Sequence, residues 1–286
     1  MEIKNLGAEN KNLVYDIKPN NFIAPVFNPE DYVFGAKQLP EEVLREDGQW
    51  LDFLTPFEDQ KRKIETSACA TYGTLHILGI ILEEKFGILD TNFADRFNAT
   101  LSGTTKLGTS PHTTAESVRK NGVIPEEDLP FDDSINTWEE YYAPIPTNLI
   151  NKGKQWLQKF SFMHEWVFDT KIPNKQSKMM KTLRFSPLGV SVYAWVFDND
   201  KNVYVKPEGM NDNHWCVCIG YKENEYWIIK DTYAPYVKHL DWDYDFSFSK
   251  RYYVEKKTET SEETIEVIPI TYYIKRFFQF IINIFK

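Results

Sequence analysis

At 286 residues the chain is long enough for one large domain or two small lobes around a buried core. Charged residues at 26% beside 42% hydrophobic ones exclude a disordered chain. A net charge of −9, from 33 basic against 42 acidic residues, argues against a nucleic-acid binder, which needs a phosphate-neutralising surface.

Residues 1–49 are polar, punctuated by Pro19, Pro25, Pro29 and Pro40, and read as an extended arm lying on the body, with a short helix over 41–45. The segment Met1-Glu2-Ile3-Lys4-Asn5 has no apolar signal core, so a cleaved leader is not indicated and the chain is expected in the cytoplasm at synthesis. Trp50, Phe53, Leu54 and Phe57 form an apolar approach to Gln60. From Ala68 to Phe86, Leu75, Leu78, Ile81 and Leu82 recur at helical spacing, and Gly87 is placed to cap the helix. Residues 91–107 read as a second, shorter helix followed by a Gly/Thr-rich loop. Thr113-Thr114-Ala115-Glu116 opens another, ending near Asn121-Gly122. Pro125, Pro130, Pro144 and Pro146 mark an irregular connection before helix over 148–160.

The second half changes period. Alternation over 189–196, 202–206, 214–221, 225–230 and 251–255 predicts strands. Helices first and strands later imply an α+β protein of two lobes, the helical one mainly 60–150 and the β one mainly 185–255. Asp198-Asn199-Asp200-Lys201-Asn202 opens like a calcium loop, but Val203 and Gly209 stand where glycine and glutamate are needed, so a hairpin turn is expected. Residues 256–264 read as a charged linker, and 265–286 as a C-terminal amphipathic helix. Lys275, Arg276, Gln279, Asn283 and Lys286 give its 270–286 portion one narrow polar stripe. Seventeen residues reach about 25 Å, short of a bilayer. Docking onto the body or a protein partner is expected, with membrane-surface or virion association as the alternative.

Three cysteines, Cys69, Cys216 and Cys218, make no disulfide framework and fit a reducing compartment or a thiol with its own task. Cys69 follows small, hydroxylated residues at a helix start, where unpaired N–H groups and the macrodipole favour a thiolate. His214 opens one strand and Asp231 closes the next, so pairing of those strands brings them together. An imidazole oriented by a carboxylate and facing a thiol is the constellation of nucleophilic thiol catalysis. Gln60 offers an amide N–H that, with the backbone N–H of Cys69, would form an oxyanion hole. Taken singly these residues mean little: a helical cysteine is usually an inert hydrophobe, and an aspartate after a strand a turn residue. Order, spacing and context together carry the reading. Cys216 and Cys218 share a strand face with no second ligand pair and read as core, and His76, His112, His164 and His239 as structural. No metal or cofactor is required.

Ser67-Ala68-Cys69-Ala70-Thr71-Tyr72-Gly73 resembles the Gly-Ser-Cys-Trp-Ala-Phe signature of papain-like cysteine peptidases. Asn213-His214-Trp215 through Gly220-Tyr221 is similar to their histidine strand, and Tyr226-Trp227-Ile228-Ile229-Lys230-Asp231-Thr232-Tyr233 to their Tyr-Trp-Ile-Ile-Lys-Asn-Ser-Trp segment. Gly108-Thr109-Ser110 and the stretch from Asn121 to Phe131 resemble the glycine-rich wall and the segment after it. The resemblance spans about 50–255 and is strongest to the disulfide-free forms of bacteria and phages. It implies a papain-like two-lobed fold with a central cysteine-bearing helix, an antiparallel β-barrel-like lobe, and peptide or protein substrates in the cleft between. Three departures stand out. Asp231 replaces the usual asparagine and Tyr233 the usual tryptophan. Gln60 lies nine residues before Cys69 where the family has six, leaving Lys63 at the family position. Two other functions share the order: a cell-wall peptide amidase or acyltransferase, and a fold-retaining binding protein with weak catalysis.

Overall fold

The computed structural model describes residues 39–89, 91–168 and 172–257. Residues 1–38 of the expected arm over 1–49, most of the linker, and the C-terminal helix lie outside the described residues. Among the described residues no helix is long and apolar enough to cross a membrane.

The expected α+β architecture is present. Helix α1, Cys69–Phe86, is buried from Cys69 to Leu82 and is apolar nearly all round, as a helix enclosed between two layers must be. Its last turn closes on Gly87 at φ 67°, where glycine takes the left-handed conformation at no steric cost. Around it stand α2, Asp95–Leu101; α3, Pro111–Asn121; α4, Trp138–Tyr141; and α5, Thr147–Lys159. Ser110 caps α3 through its Oγ, which accepts from the His112 and Thr113 amides, with Pro111 at the first helical position. The cap therefore sits three residues before the expected start.

Among the described residues the β lobe is one eight-stranded sheet. Its strands are β1, Phe160–Phe168; β2, Leu188–Val192; β3, Val196–Asp198; β4, Val203–Val205; β5, His214–Lys222; β6, Tyr226–Lys230; β7, Val237–Asp241; and β8, Ser249–Lys256. They run in the order β1-β8-β2-β5-β6-β7-β4-β3. All ladders are antiparallel except the single β4–β7 bridge. The sheet thus recruits β1 well before residue 185, with helix α6, Lys175–Leu183, between β1 and β2. The expected turn after Asp198 joins β3 to β4, with the Asp198 carboxylate accepting from the Asp200 and Lys201 amides. The expected helix over 41–45 does not form. The Leu44 and Arg45 amides both donate to the Arg184 carbonyl, so tertiary pairing takes the bonds a first helical turn would leave open.

The lobes meet where α1 packs on β5, and Trp215 is the wedge. A Cβ on Gly73 of α1 would lie 2.8 Å from its Cδ1, and a Cβ on Gly189 of β2 would lie 2.3 Å from its Cζ2. The indole thus fills a slot that only two glycines leave open, directly beside His214. Cys216 and Cys218 lie in the main core, as expected.

Candidate active site

The β5–β6 hairpin does the first part of the positioning. Val217 faces Lys230 in the ladder, so the start of β5 and the residue after β6 fall at one end of the sheet. There the His214 Nε2 lies 2.6 Å from Asp231 Oδ1, with both side chains essentially inaccessible. Asn213 fixes the entry to β5: its amide donates to Val192 O, and its side-chain oxygen accepts from the Ala194 amide.

Helix α1 delivers Cys69 from the other lobe. Its thiol acts on the imidazole, helping to raise it, and with Nε2 taken by Asp231 the ring nitrogen left for it is Nδ1. As the first residue of the helix, Cys69 presents a backbone N–H that has no intrahelical acceptor. Two residues before it, Ser67 holds φ 57°, a conformation that costs a non-glycine residue about 1–3 kcal/mol. Two bonds hold it there, its amide to Glu65 Oε1 and its Oγ to the Lys106 carbonyl.

The imidazole is boxed by rings. Trp195 meets it edge-on at 5.7 Å and Tyr233 tilts over it at 5.2 Å. Burial acts to push the imidazolium down, but the Asp231 charge and hydrogen bond, with a further contribution from Cys69, raise it to about 10. Burial likewise works against the Asp231 carboxylate, yet Lys238 and His214 hold it well below the usual carboxylate range. At neutral pH the site is built around an imidazolium. The consequence for stability has a definite sign. A group raised from 6.5 to about 10 contributes fully below pH 6.5, and the contribution is lost as pH rises through 10. Wild type is therefore expected to lose a few kcal/mol more stability than His214→Ala between pH 6.5 and 10, read from urea unfolding midpoints. Parallel curves would contradict the assignment.

Gln60 is fully buried, and the extra three residues after it form a small loop. Lys61 bridges Glu65, and the Thr66 amide donates to Gln60 O at 3.3 Å. The loop thus returns Gln60 to the site, while Lys63 turns outward to the Asp133 carbonyl. The Gln60 Oε1 accepts from Thr232 Oγ1 at 2.7 Å. Its Nε2 donates to Tyr233 Oη at 2.7 Å and to Glu65 Oε1 at 2.8 Å. Tyr233 in turn donates to Glu65 Oε2 at 2.7 Å, and burial and that carboxylate push its phenol far up, keeping it a neutral donor.

Two partners were not read from the sequence. Glu65, four residues before Cys69, binds Gln60, Ser67 and Tyr233 together. Lys238 on β7 places its Nζ 2.7 Å from Asp231 Oδ2. A signal existed for the second: an aspartate in place of a neutral asparagine calls for a cation within reach. The four other histidines have structural partners, among them Glu58 for His76, Glu116 for His164 and a stacked Tyr226 for His239.

No family model matches the chain, and no curated protein matches it. Among solved structures it is similar to xylellain, a cysteine protease from Xylella fastidiosa. The TM-score there is 0.56 at 15% identity, covering 83% of this chain and 95% of that one. It is also similar to digestive procathepsin L 3 of the Tenebrio molitor larval midgut, with TM-score 0.50 and 14% identity over 77% of this chain and 72% of that one. The chain has the papain-like two-lobed fold of cysteine proteases. Likeness at such identities speaks for the fold alone.

Proposed function

We propose that the protein is a cysteine peptidase with Cys69 as nucleophile, His214 as general acid and base, Asp231 as the orienting carboxylate and Gln60 with the Cys69 amide as oxyanion donors. One observation carries the reading: the buried His214 binds Asp231 through Nε2 at 2.6 Å, and its other ring nitrogen is left for Cys69 at the start of α1, across the interface of two lobes. The Cys69 sulfur attacks the scissile carbonyl carbon, forming a C–S bond while the carbonyl π electrons move to oxygen. Collapse expels the amine, which takes the proton from His214. Water, deprotonated by the now neutral His214, then attacks the thioester and releases acid and thiol. Tyr233 shields the His214–Asp231 bond where a tryptophan would otherwise stand.

Three free cysteines fit the disulfide-free bacterial and phage forms. A second reading, a papain-like binding protein with little turnover, is favoured by one finding. Both amide hydrogens of Gln60 are already engaged, so oxyanion donation requires release from Glu65 or Tyr233. Glu65 is partly open to solvent, which makes it the partner that water can replace. The two readings part on product analysis: cleavage of ordinary peptides, lost in Cys69→Ala, is expected. Cleavage confined to cell-wall fragments would move the assignment to an amidase. No cleavage of either would leave the binding protein.

A further inference from the structure

We propose that Lys238 is a positioning residue for the Cys69–His214 pair, cancelling the charge of Asp231 so that a carboxylate can orient the imidazole as a neutral amide would; the inference rests on the peptidase reading of this site. A buried carboxylate 2.6 Å from Nε2 is a hazard if left alone. Either it takes up a proton and ceases to support the imidazolium, or it binds the imidazolium so firmly that proton delivery to the leaving amine slows. The Lys238 ammonium prevents both by occupying the second carboxylate oxygen at 2.7 Å. With the Thr232 amide on Oδ1 at 2.8 Å, the carboxylate is fully satisfied. Thiolate, imidazolium, carboxylate and ammonium then sum to zero, the same net charge as a thiolate–imidazolium pair beside an asparagine.

The lysine is built for this place. It is 1% exposed on β7, and its other two ammonium hydrogens go to the Tyr233 and Pro235 carbonyls, each at 2.6 Å. Three donors thus meet three acceptors in the loop that carries Asp231. Its ammonium lies 4.8 Å from the Trp195 ring centroid, and Trp195 is the ring that meets His214 edge-on. Stability alone does not call for it: burying an ion pair is costly, and an apolar side chain would fill the position as well. Burial draws the ammonium down and Asp231 opposes. Asp231 stays ionised and Lys238 stays protonated through acylation and deacylation, which pass one proton between His214, amine and water.

The groups that face His214 are Cys69 from α1, Asp231 and Tyr233 from the loop after β6, and Lys238 from β7 behind the carboxylate. Asp59, His76, Cys216 and Lys230 feel the Asp231 charge at longer range. Removing Lys238 therefore leaves Asp231 free to hold the imidazolium to higher pH. Removing the Asp231 charge leaves an ammonium that drives the imidazolium to lower pH.

The test is the pH dependence of Cys69 alkylation by iodoacetate, a negatively charged reagent speeded by a neighbouring imidazolium. Its rate falls as His214 loses its proton, whether or not a peptide is cleaved. In the full chain, the basic limb is expected to move down by about one pH unit or more in Asp231→Asn and up in Lys238→Met. It should return to the wild-type position in the double variant. The kcat/KM of each single variant should fall about 100-fold or more, with the double recovering to within about tenfold. Should Lys238→Met not accumulate as folded protein, Asp231→Asn against the double variant carries the test. A reactive thiol whose basic limb stays in place in all variants, or a double variant no better than Asp231→Asn, overturns the role of Lys238. A wild-type thiol inert at every pH overturns the peptidase reading and this inference with it.

Discussion

Cys69→Ala is expected to lower peptide hydrolysis by about 10⁴-fold or more while the protein stays folded, because removing the nucleophile of a triad costs nearly all that the triad contributes. The fold has little stake in the thiol. Cys69 opens a helix, is 5% exposed, and contributes to a small cluster with Ala70 and Trp215 rather than to the main core. Alanine is also the best helix former, so the thermal midpoint should move little. The other thiols are poor substitutes. Burial pushes Cys218 up to about 12 and Cys216 well above its ordinary value, and both are packed into the main core. Retention of more than about a hundredth of wild-type kcat/KM would mean that another group attacks.

Gln60→Ala is expected to lower kcat about 10²–10³-fold with KM nearly unchanged, since an oxyanion donor acts on charge that exists only in the transition state. The structure gives the assignment a specific risk. Gln60 is anchored by Thr232, Tyr233 and Glu65, and its donors point at the last two. If Glu65 yields to water when substrate binds, one N–H turns to the oxyanion while Tyr233 keeps the amide plane in place. Tyr233→Phe should then cost less than Gln60→Ala, and kinetics at saturating peptide would read both. An unchanged kcat in Gln60→Ala would reduce Gln60 to a structural clamp and favour the binding protein.

What could be read from the chain and what could not divides along physical lines. Helix α1 was legible because its apolar residues recur at helical spacing and Gly87 stops it, and both signals are local. The β5–β6 pair was legible because alternation brackets a short polar turn, and its register brings His214 to Asp231 as the spacing implied. Strand β1 was missed because α5 passes into it between Lys159 and Phe160 with no glycine or proline between. Strand β7 was missed because a buried charge interrupts it. Val237-Lys238-His239-Leu240-Asp241 places a lysine at a buried strand position, which breaks the hydrophobic period that marks strands. The residue that hid the strand is the one that pairs with Asp231. Glu65 was missed because nothing local says that a carboxylate in a loop will bind a glutamine, a tyrosine and a backbone amide at once.

The most direct measurement is intact mass after treatment with an epoxide-type thiol inhibitor, taken on wild type and Cys69→Ala across pH 5–9. One adduct on wild type and none on Cys69→Ala is the expected result. Absence of the wild-type adduct at every pH, or an adduct that persists in Cys69→Ala, would contradict a nucleophilic Cys69 activated by His214.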